Sequence, residues 1–467
     1  MRALLLSTYD LGRQPFGLAS PAAWLARAGT DVTMNDLAVE PLDEDAARAA
    51  DLIAFHVPMH TATRLAARAI PRVRALNGRA HLACFGLYAP MNAEYLRGLG
   101  VDSVLGGEFE EGLAALAGRL AGGRAPEPPP PAISLARQRF LVPERSGLPP
   151  LARYARLRLP DGALRVVGST EASRGCKHLC RHCPVVPVYG GHFRAVDRDV
   201  VLEDVRRQVA AGAEHITFGD PDFWNGPTHV MAIVRDLHAE FPRLTLDVTI
   251  KVEHLLAHAR LLPALRDGGC LFVTTAVEAI DDAILARLDK GHTAADFECV
   301  VALFREVGLC LAPTFVPFTP WTSLDGYLAL LDRLAALDLV EHVAPIQLAI
   351  RLLIPAGSRL LELADRDPAL AAALRGFDEE RLSWRWEHAD PRVDRLADAA
   401  WQAVRAGECA GAQRAEIFES VRDLAENAAG RERRTRAGSH GRERDTHPTG
   451  FAAPRSPVPY LTEPWFC

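Results

Sequence analysis

Cys176-Lys177-His178-Leu179-Cys180-Arg181-His182-Cys183 sets three cysteines in a C-x3-C-x2-C array. Three thiolates can hold three irons of a [4Fe–4S] cluster and leave one iron open, where a small molecule can bind and receive an electron. A four-cysteine electron-transfer site closes that position. The competing chemistry is a structural zinc site made from the cysteines with His178 or His182. Against it, the chain lacks the second CxxC-like half that zinc ribbons and fingers need. Arg174-Gly175 before the array and Pro184 after it favour a tight loop. Lys177 and Arg181 fall beside the cysteines, where they either tune the potential of an anionic cluster or are simply solvated.

With a predicted strand at 165–171 directly before it, this segment resembles the radical S-adenosylmethionine (SAM) superfamily. The resemblance implies that the open iron chelates the amino and carboxylate groups of SAM and that an electron cleaves one of its C–S bonds. The superfamily usually has an aromatic residue before the third cysteine; here it is His182. It also implies SAM contacts along the strand ends: Gly219 and Asp220 after the second strand, Lys251 at the end of the third and Glu278 at the end of the fourth. The run from Ala276-Val277-Glu278-Ala279 to Lys290-Gly291-His292 resembles the E-S-…-L-…-K-G-H run of cobalamin-type radical SAM proteins, with Ala279 in place of the serine. A carboxylate at Glu278 can accept two hydroxyl hydrogen bonds from a ribose; the plainer reading is a charge interaction with a helix N-terminus. Asp220 and Asp222 suit a turn as well as a ligand site. Pro355-Ala356-Gly357-Ser358 reads as a strand-to-helix turn with Ser358 as N-cap.

The elements that must position these residues come from short apolar runs alternating with helical periods. Strands are predicted at 165–171, 214–218, 245–250, 270–277, 310–316 and 346–354, with helices at 200–211, 229–241, 255–267, 294–307 and 324–337. Six such units make a partial (β/α)6 TIM-like barrel over 161–356, with the cysteine loop at the C-terminal strand ends, where barrel sites lie. Residues 1–123 show the same alternation: strands at 3–8, 31–36, 52–57, 81–85 and 103–105, helices at 21–28, 62–76, 92–98 and 110–120. Buried strands alternating with helices predict a flavodoxin-like, doubly wound parallel sheet. Phe16-Gly17-Leu18-Ala19 and Gly107-Glu108-Phe109-Glu110 resemble the cobalamin-binding domain found before many radical SAM barrels, although the D-x-H-x-x-G motif that supplies a cobalt ligand is absent. Cobalamin is thus a possible third cofactor beside the cluster and SAM.

Residues 124–160 read as a linker and connection that opens with a polyproline stretch, extended and semi-rigid. Residues 357–428 read as a helical region with Trp384, Trp386 and Trp401 as packing anchors. From Arg431 to Asp445 there are six arginines against three acids and no apolar residue beyond Ala437, so 429–467 reads as a disordered tail. The tail ends in Trp465-Phe466-Cys467. This ending resembles a radical SAM group whose tails finish in Cys-Cys or Cys-selenocysteine followed by Ala-Glu-Pro, which would place a UGA codon just after Cys467. The resemblance implies capture of a soft substrate or a redox relay at Cys467. Cys84, Cys270, Cys299 and Cys310 read as small buried hydrophobes.

The bulk numbers agree with a two-domain protein of 467 residues, 49% hydrophobic and 24% charged. A net charge of −6 argues against nucleic-acid or membrane partners. Nine cysteines, an odd number with a tight cluster, suit a reducing cytoplasm and a metal cofactor. No signal peptide or membrane span is expected. The expected activity is reductive cleavage of SAM followed by methylation, hydrogen abstraction or C–heteroatom bond formation on a small molecule, with flavodoxin or ferredoxin as electron donor. The alternatives are SAM aminocarboxypropyl transfer to a soft acceptor such as arsenite and a non-catalytic iron–sulfur or soft-metal sensor.

Overall fold

The computed structural model describes residues 1–123, 132–431 and 458–463. The first sheet contains β1 (Arg2–Ser7), β2 (Asp31–Asp36), β3 (Leu52–His56), β4 (His81–Phe85), β5 (Ser103–Gly107) and β6 (Ala132–Ser134). They lie in the order β2-β1-β3-β4-β5-β6, all parallel. Leu4, Leu5 and Leu6 are buried in succession, as are Leu52 to Phe55, because helices cover both faces. Those helices are α1 (Phe16–Arg27), α2 (Glu44–Ala49), α3 (His60–Leu76), α4 (Ala93–Gly98) and α5 (Glu110–Ala121). Two expectations need correction. Helix α1 starts at Phe16, five residues early, and keeps Pro21 inside it. The stretch read as pure connection supplies β6, which continues the sheet at the edge of β5.

The second sheet is a curled half-barrel in the order β14-β13-β12-β11-β8-β7-β17. It is built from β7 (Arg156–Arg158), β8 (Leu164–Thr170), β11 (His215–Phe218), β12 (Thr245–Thr249), β13 (Cys270–Glu278), β14 (Cys310–Phe315) and β17 (Tyr460–Leu461), with the short pair β9 (Ser173–Gly175) and β10 (Phe193–Ala195) beside it. Strands β8 and β11 to β14 are parallel and carry α6 (Val186–Tyr189), α7 (Arg198–Ala210), α8 (Pro227–Glu240), α9 (Val252–Ala257), α10 (Leu262–Asp267), α11 (Asp282–Leu288), α12 (Ala294–Val307) and α13 (Leu324–Ala336) between or after them. The helix expected over 255–267 is broken into α9 and α10, with Pro263 in the first turn of α10, where its missing N–H goes unused.

The sixth parallel strand is absent. Pro345–Leu348 is a 3-10 turn, and only a single bridge joins Arg351 to Phe318. The Gln347 side chain explains the loss: its Oε1 accepts the Phe315 N–H at 2.9 Å, a bond that an added strand's carbonyl would otherwise take.

Residues 357–428 are not helical throughout. After α14 (Pro368–Ala373) the chain forms a hairpin of β15 (Leu374–Asp378) and β16 (Ser383–Trp386), then α15 (Pro391–Ala410) and α16 (Arg414–Ala428). Aromatic residues favour the pleated strand. Trp386 is buried and its indole N–H donates to Leu352 O at 2.8 Å, whereas Trp401 is 41% exposed and anchors nothing in the core. The described part of the tail is ordered too: Tyr460 and Leu461 pair antiparallel with Arg158 and Leu157, and Val458 is buried against the barrel edge. Cys467 and the polyproline stretch lie outside the described residues. Among the remaining cysteines, Cys84 and Cys270 are buried as expected, Cys310 is partly buried, and Cys299 is exposed on α12.

Candidate active site

Strand β8 delivers the chain to the rim of the half-barrel, and β9 turns it into the cysteine loop. Gly175 sits at φ +73°, and a Cβ there would lie 2.4 Å from His192 O and 2.5 Å from the Tyr189 ring, so the turn accepts no larger residue. The loop is held from several sides. Asn225 donates to Gly175 O and accepts from Lys177 N–H; Arg359 donates to Leu179 O at 2.8 Å; Ser358, which caps the following turn as expected, donates to Arg181 O. Arg181 bonds the carbonyls of Ala286 and Arg287 at the end of α11, so it is neither free nor merely solvated, while the Lys177 ammonium lies over the Phe193 ring.

The three thiols lie close enough for neighbouring sulfur to act on Cys176 and Cys183. Burial pushes Cys176 up to about 11 and Cys183 up to about 12, and neighbouring sulfur adds to both. As thiols they are poorly solvated; as metal-bound thiolates they would be stabilised by the ammonium groups of Lys251, which acts on Cys176, and Lys290, which acts on Cys183. A soft three-sulfur set beside two cations fits an iron–sulfur cluster.

Glu278 lies under this loop at φ +72°, where β13 bulges against β14. Its carboxylate accepts from His182 Nε2 at 3.2 Å and from Lys290 Nζ at 3.3 Å. Burial alone would raise its pKa, but Lys290 and His182 outweigh it and hold the group at about 2. Burial likewise works to lower Lys290, and Glu278 reverses it. Residue 182 is therefore a histidine with a partner, and Glu278 does not sit on a helix N-terminus. Lys251 Nζ lies 3.4 Å from Glu253. Asp220 is placed differently from the rest: its carboxylate accepts from Ala172 N at 2.9 Å and Ser173 Oγ at 2.6 Å, bracing the start of the cysteine loop. Gly219 remains at the surface of the adjoining cleft.

That cleft, about 240 Å³, opens between the C-terminal strand ends of both sheets. The first sheet supplies Asp10, Arg13, His56 and Phe109; the second supplies Glu171 and Arg174. Burial raises Asp10 to about 7, so this carboxyl can change its proton near neutrality. His56 is pushed down to about 3 by burial and by Arg174, so its imidazole is neutral, and its Nδ1 has no hydrogen-bond partner. A Cβ at Gly17 would come within 2.0 Å of that ring. The doubly wound pattern marks the strand ends that carry Asp10 and His56 as ligand positions, and the adjacent strands β1 and β3 bring the two to one cleft. That Glu171 and Arg174 face them is not visible in the sequence. An unbonded, neutral ring nitrogen in a cleft lined by glycine-bearing strand ends fits cobalamin, although the D-x-H-x-x-G signature is missing.

Residues 170–319, which span the cysteine loop and most of the half-barrel, match the family described as the Radical SAM superfamily. The cofactors of that superfamily are a [4Fe–4S] cluster and SAM, and its members of this kind are enzymes. The chain is 27% identical over 339 residues to the hopanoid C-3 methylase of Methylococcus capsulatus, covering 68% of this chain and 64% of that protein, so it spans less than two thirds of that relative. Its fold is that of the radical SAM methyltransferase TsrM from Kitasatospora setae, solved with tryptophan substrate and a SAM analogue (TM-score 0.66, 19% identity, 86% of this chain and 89% of that one). It is also that of the cobalamin-dependent SAM radical enzyme OxsB, solved with aqua-cobalamin and SAM (TM-score 0.69, 12% identity, 87% and 67%). Among the described residues no helix is long and apolar enough to cross a membrane.

Proposed function

We infer that this chain is a cobalamin-dependent radical SAM methyltransferase acting on a small molecule. The observation that carries the reading is the single cleft shared by the strand ends of both sheets, with the cysteine loop on its rim. Two cofactors in one cleft suit the transfer of a methyl group, and the relatives named as methylases favour that chemistry over hydrogen abstraction alone.

In this reading Cys176, Cys180 and Cys183 hold the cluster, which when loaded supplies an open iron and one electron to SAM. Gly219 offers its backbone to the SAM amine, and Asp220 keeps that segment registered against Ala172 and Ser173. Glu278, ionised at any physiological pH, accepts from the hydroxyls of the SAM ribose, while Lys290 and His182 fix its carboxylate. Lys251 offsets the cluster's negative charge on the Cys176 side. Cobalamin would be held by the exits of β1, β3, β4 and β5, with His56 on its floor. Asp10 is the group in the cleft able to take a proton from the substrate. Cys467, proposed to capture a soft substrate, follows in the chain after Glu463, which packs against Gly12 beside the cleft. The electron donor is a small flavodoxin or ferredoxin.

The test is anaerobic turnover of the cluster-loaded chain with SAM, cobalamin and reductant. Methylation yields S-adenosylhomocysteine together with deoxyadenosine. Methylthioadenosine instead would overturn the reading in favour of aminocarboxypropyl transfer, and arsenite would then be tried as acceptor.

A further inference from the structure

A second group of metal-ligating side chains lies beside the cysteine loop and uses none of the three thiols. His178 from the loop, Asp222 from the exit of β11 and His254 from α9 bring one donor atom each to within 4.8 Å of one another. Asp222 is 1% exposed, and both imidazoles are nearly buried. Asp222 Oδ2 lies 2.7 Å from His254 Nδ1 and 3.6 Å from His178 Nε2. Yet none of these three buried atoms makes a hydrogen bond of good geometry: the 3.6 Å contact is too long for one, and the 2.7 Å contact is a close approach of ligand atoms. Three lone-pair atoms that converge without bonding each other point to a common centre. Donors at about 2.0–2.2 Å from a tetrahedral ion stand roughly 3.3 Å apart, a spacing that the two contacts bracket.

The surroundings fit a metal better than a plain ion pair. His178 Nδ1 faces Glu253 Oε2 at 3.4 Å, and Glu253 lies 3.4 Å from Lys251 Nζ. A carboxylate on the far nitrogen fixes the tautomer that leaves Nε2 free to ligate, as carboxylate–histidine–metal arrangements require. The other Asp222 oxygen, Oδ1, accepts the Trp224 N–H at 3.2 Å, which fixes the carboxylate's rotation and aims Oδ2 at the two rings.

We propose that His178, Asp222 and His254 bind one divalent first-row transition ion, of the zinc, cobalt or iron(II) class, separate from the iron–sulfur cluster. Two imidazoles and a carboxylate suit ions of that borderline character. Three protein ligands leave a position for water or for a donor atom of a small molecule. The ion ties the middle of the cysteine loop to the barrel at β11 and α9.

The experiment titrates Co²⁺ into the full chain in two forms: wild type with its cluster loaded, so that the thiols are occupied, and the variant with Cys176, Cys180 and Cys183 all changed to Ala. The expected result in both is about one equivalent of Co²⁺ with ligand-field absorption and no sulfur-to-cobalt charge transfer. His254→Ala and Asp222→Asn should lose that equivalent. Glu253→Gln, at a side chain 45% exposed, should weaken binding about 10-fold while leaving the fold intact. The proposal is overturned if wild type binds no Co²⁺, if sulfur charge transfer appears and vanishes with the cysteines, or if His254→Ala binds as wild type does. Should His254→Ala and Asp222→Asn not fold, unchanged affinity in Glu253→Gln overturns it.

Discussion

At the scale of single residues, the cysteine array is legible from spacing alone, because the thiolate geometry that the proposed cluster needs is local. The carboxylates are not. Asp220 and Glu278 both stand at strand ends, yet one is spent on Ala172 and Ser173 while the other is paired with Lys290 and His182. Which oxygen has which partner is a tertiary matter, invisible in a lone strand-end motif. The two should titrate oppositely. Burial raises Asp220 to about 7, above its ordinary 3.8. A raised acid contributes its full stability below the unfolded value and loses it as pH climbs to the folded one. Asp220→Asn should therefore remove a decline of stability, on the order of 4 kcal/mol, between about pH 4 and pH 7. Denaturant melts of both proteins at pH 5 and pH 8 check this; parallel pH profiles would show that the carboxyl titrates normally. In a separate expectation, changing Cys176, Cys180 and Cys183 to Ala abolishes both iron–sulfur cluster loading and SAM cleavage. Cleavage surviving in that variant would end the assignment of the cluster.

At the scale of elements, the parallel strands were legible because strands buried on both faces are continuous apolar runs, as in Leu4-Leu5-Leu6 and Leu52-Ile53-Ala54-Phe55. Caps did not reveal every helix, since α2 and α11 are capped by Asp43 and Asp281 yet are missing from the sequence reading. The start of α12 is where the sequence places it, and Thr293 and Asp296 form a full capping box there. The failures share a cause: short segments whose partner lies far away in the chain. Ile346–Ile354 is apolar enough for a strand, but Pro345 and the Gln347 side chain close the sheet edge instead. The hairpin at 374–386 has tryptophans that suit either periodicity, and Tyr460–Leu461 needed β7 to become a strand. The Gln347 account is testable. Gln347→Leu leaves the buried Phe315 N–H without an acceptor and should cost about 1–3 kcal/mol. Because Gln347 is remote in role from the cysteines, cluster content should not change. A variant as stable as wild type would mean that this bond does not close the barrel edge.

At the scale of the whole molecule, a buried cation is one of the contacts through which the two sheets meet. Arg174, only 7% exposed, leaves β9 of the half-barrel and pairs with Glu110 at 2.6 Å and Glu108 at 3.5 Å from the first sheet, and with Glu171 at 2.7 Å beside it. Its guanidinium also lies against the rings of Phe16, Phe109 and Phe140. Burial raises Glu108 and Glu171, and Arg174 works against that rise in both. Glu110 is different: burial works to raise it, but its bonds with Arg174 reverse the effect. The same side chain lines the cleft, so the contact that joins the sheets also shapes the space between them. Arg174→Met keeps length and apolar contact but strips the charge from three buried acids, and should destabilise the chain by about 3–5 kcal/mol. Arg174→Lys retains the charge without the forked geometry and should fall between the two. Iron loading at the cysteines should survive both, since the loop is held separately by Asn225, Ser358 and Arg359. Cobalamin retention should fall with the severity of the change, because the cleft depends on both walls. Equal cobalamin content in wild type and Arg174→Met would place that cofactor outside the cleft.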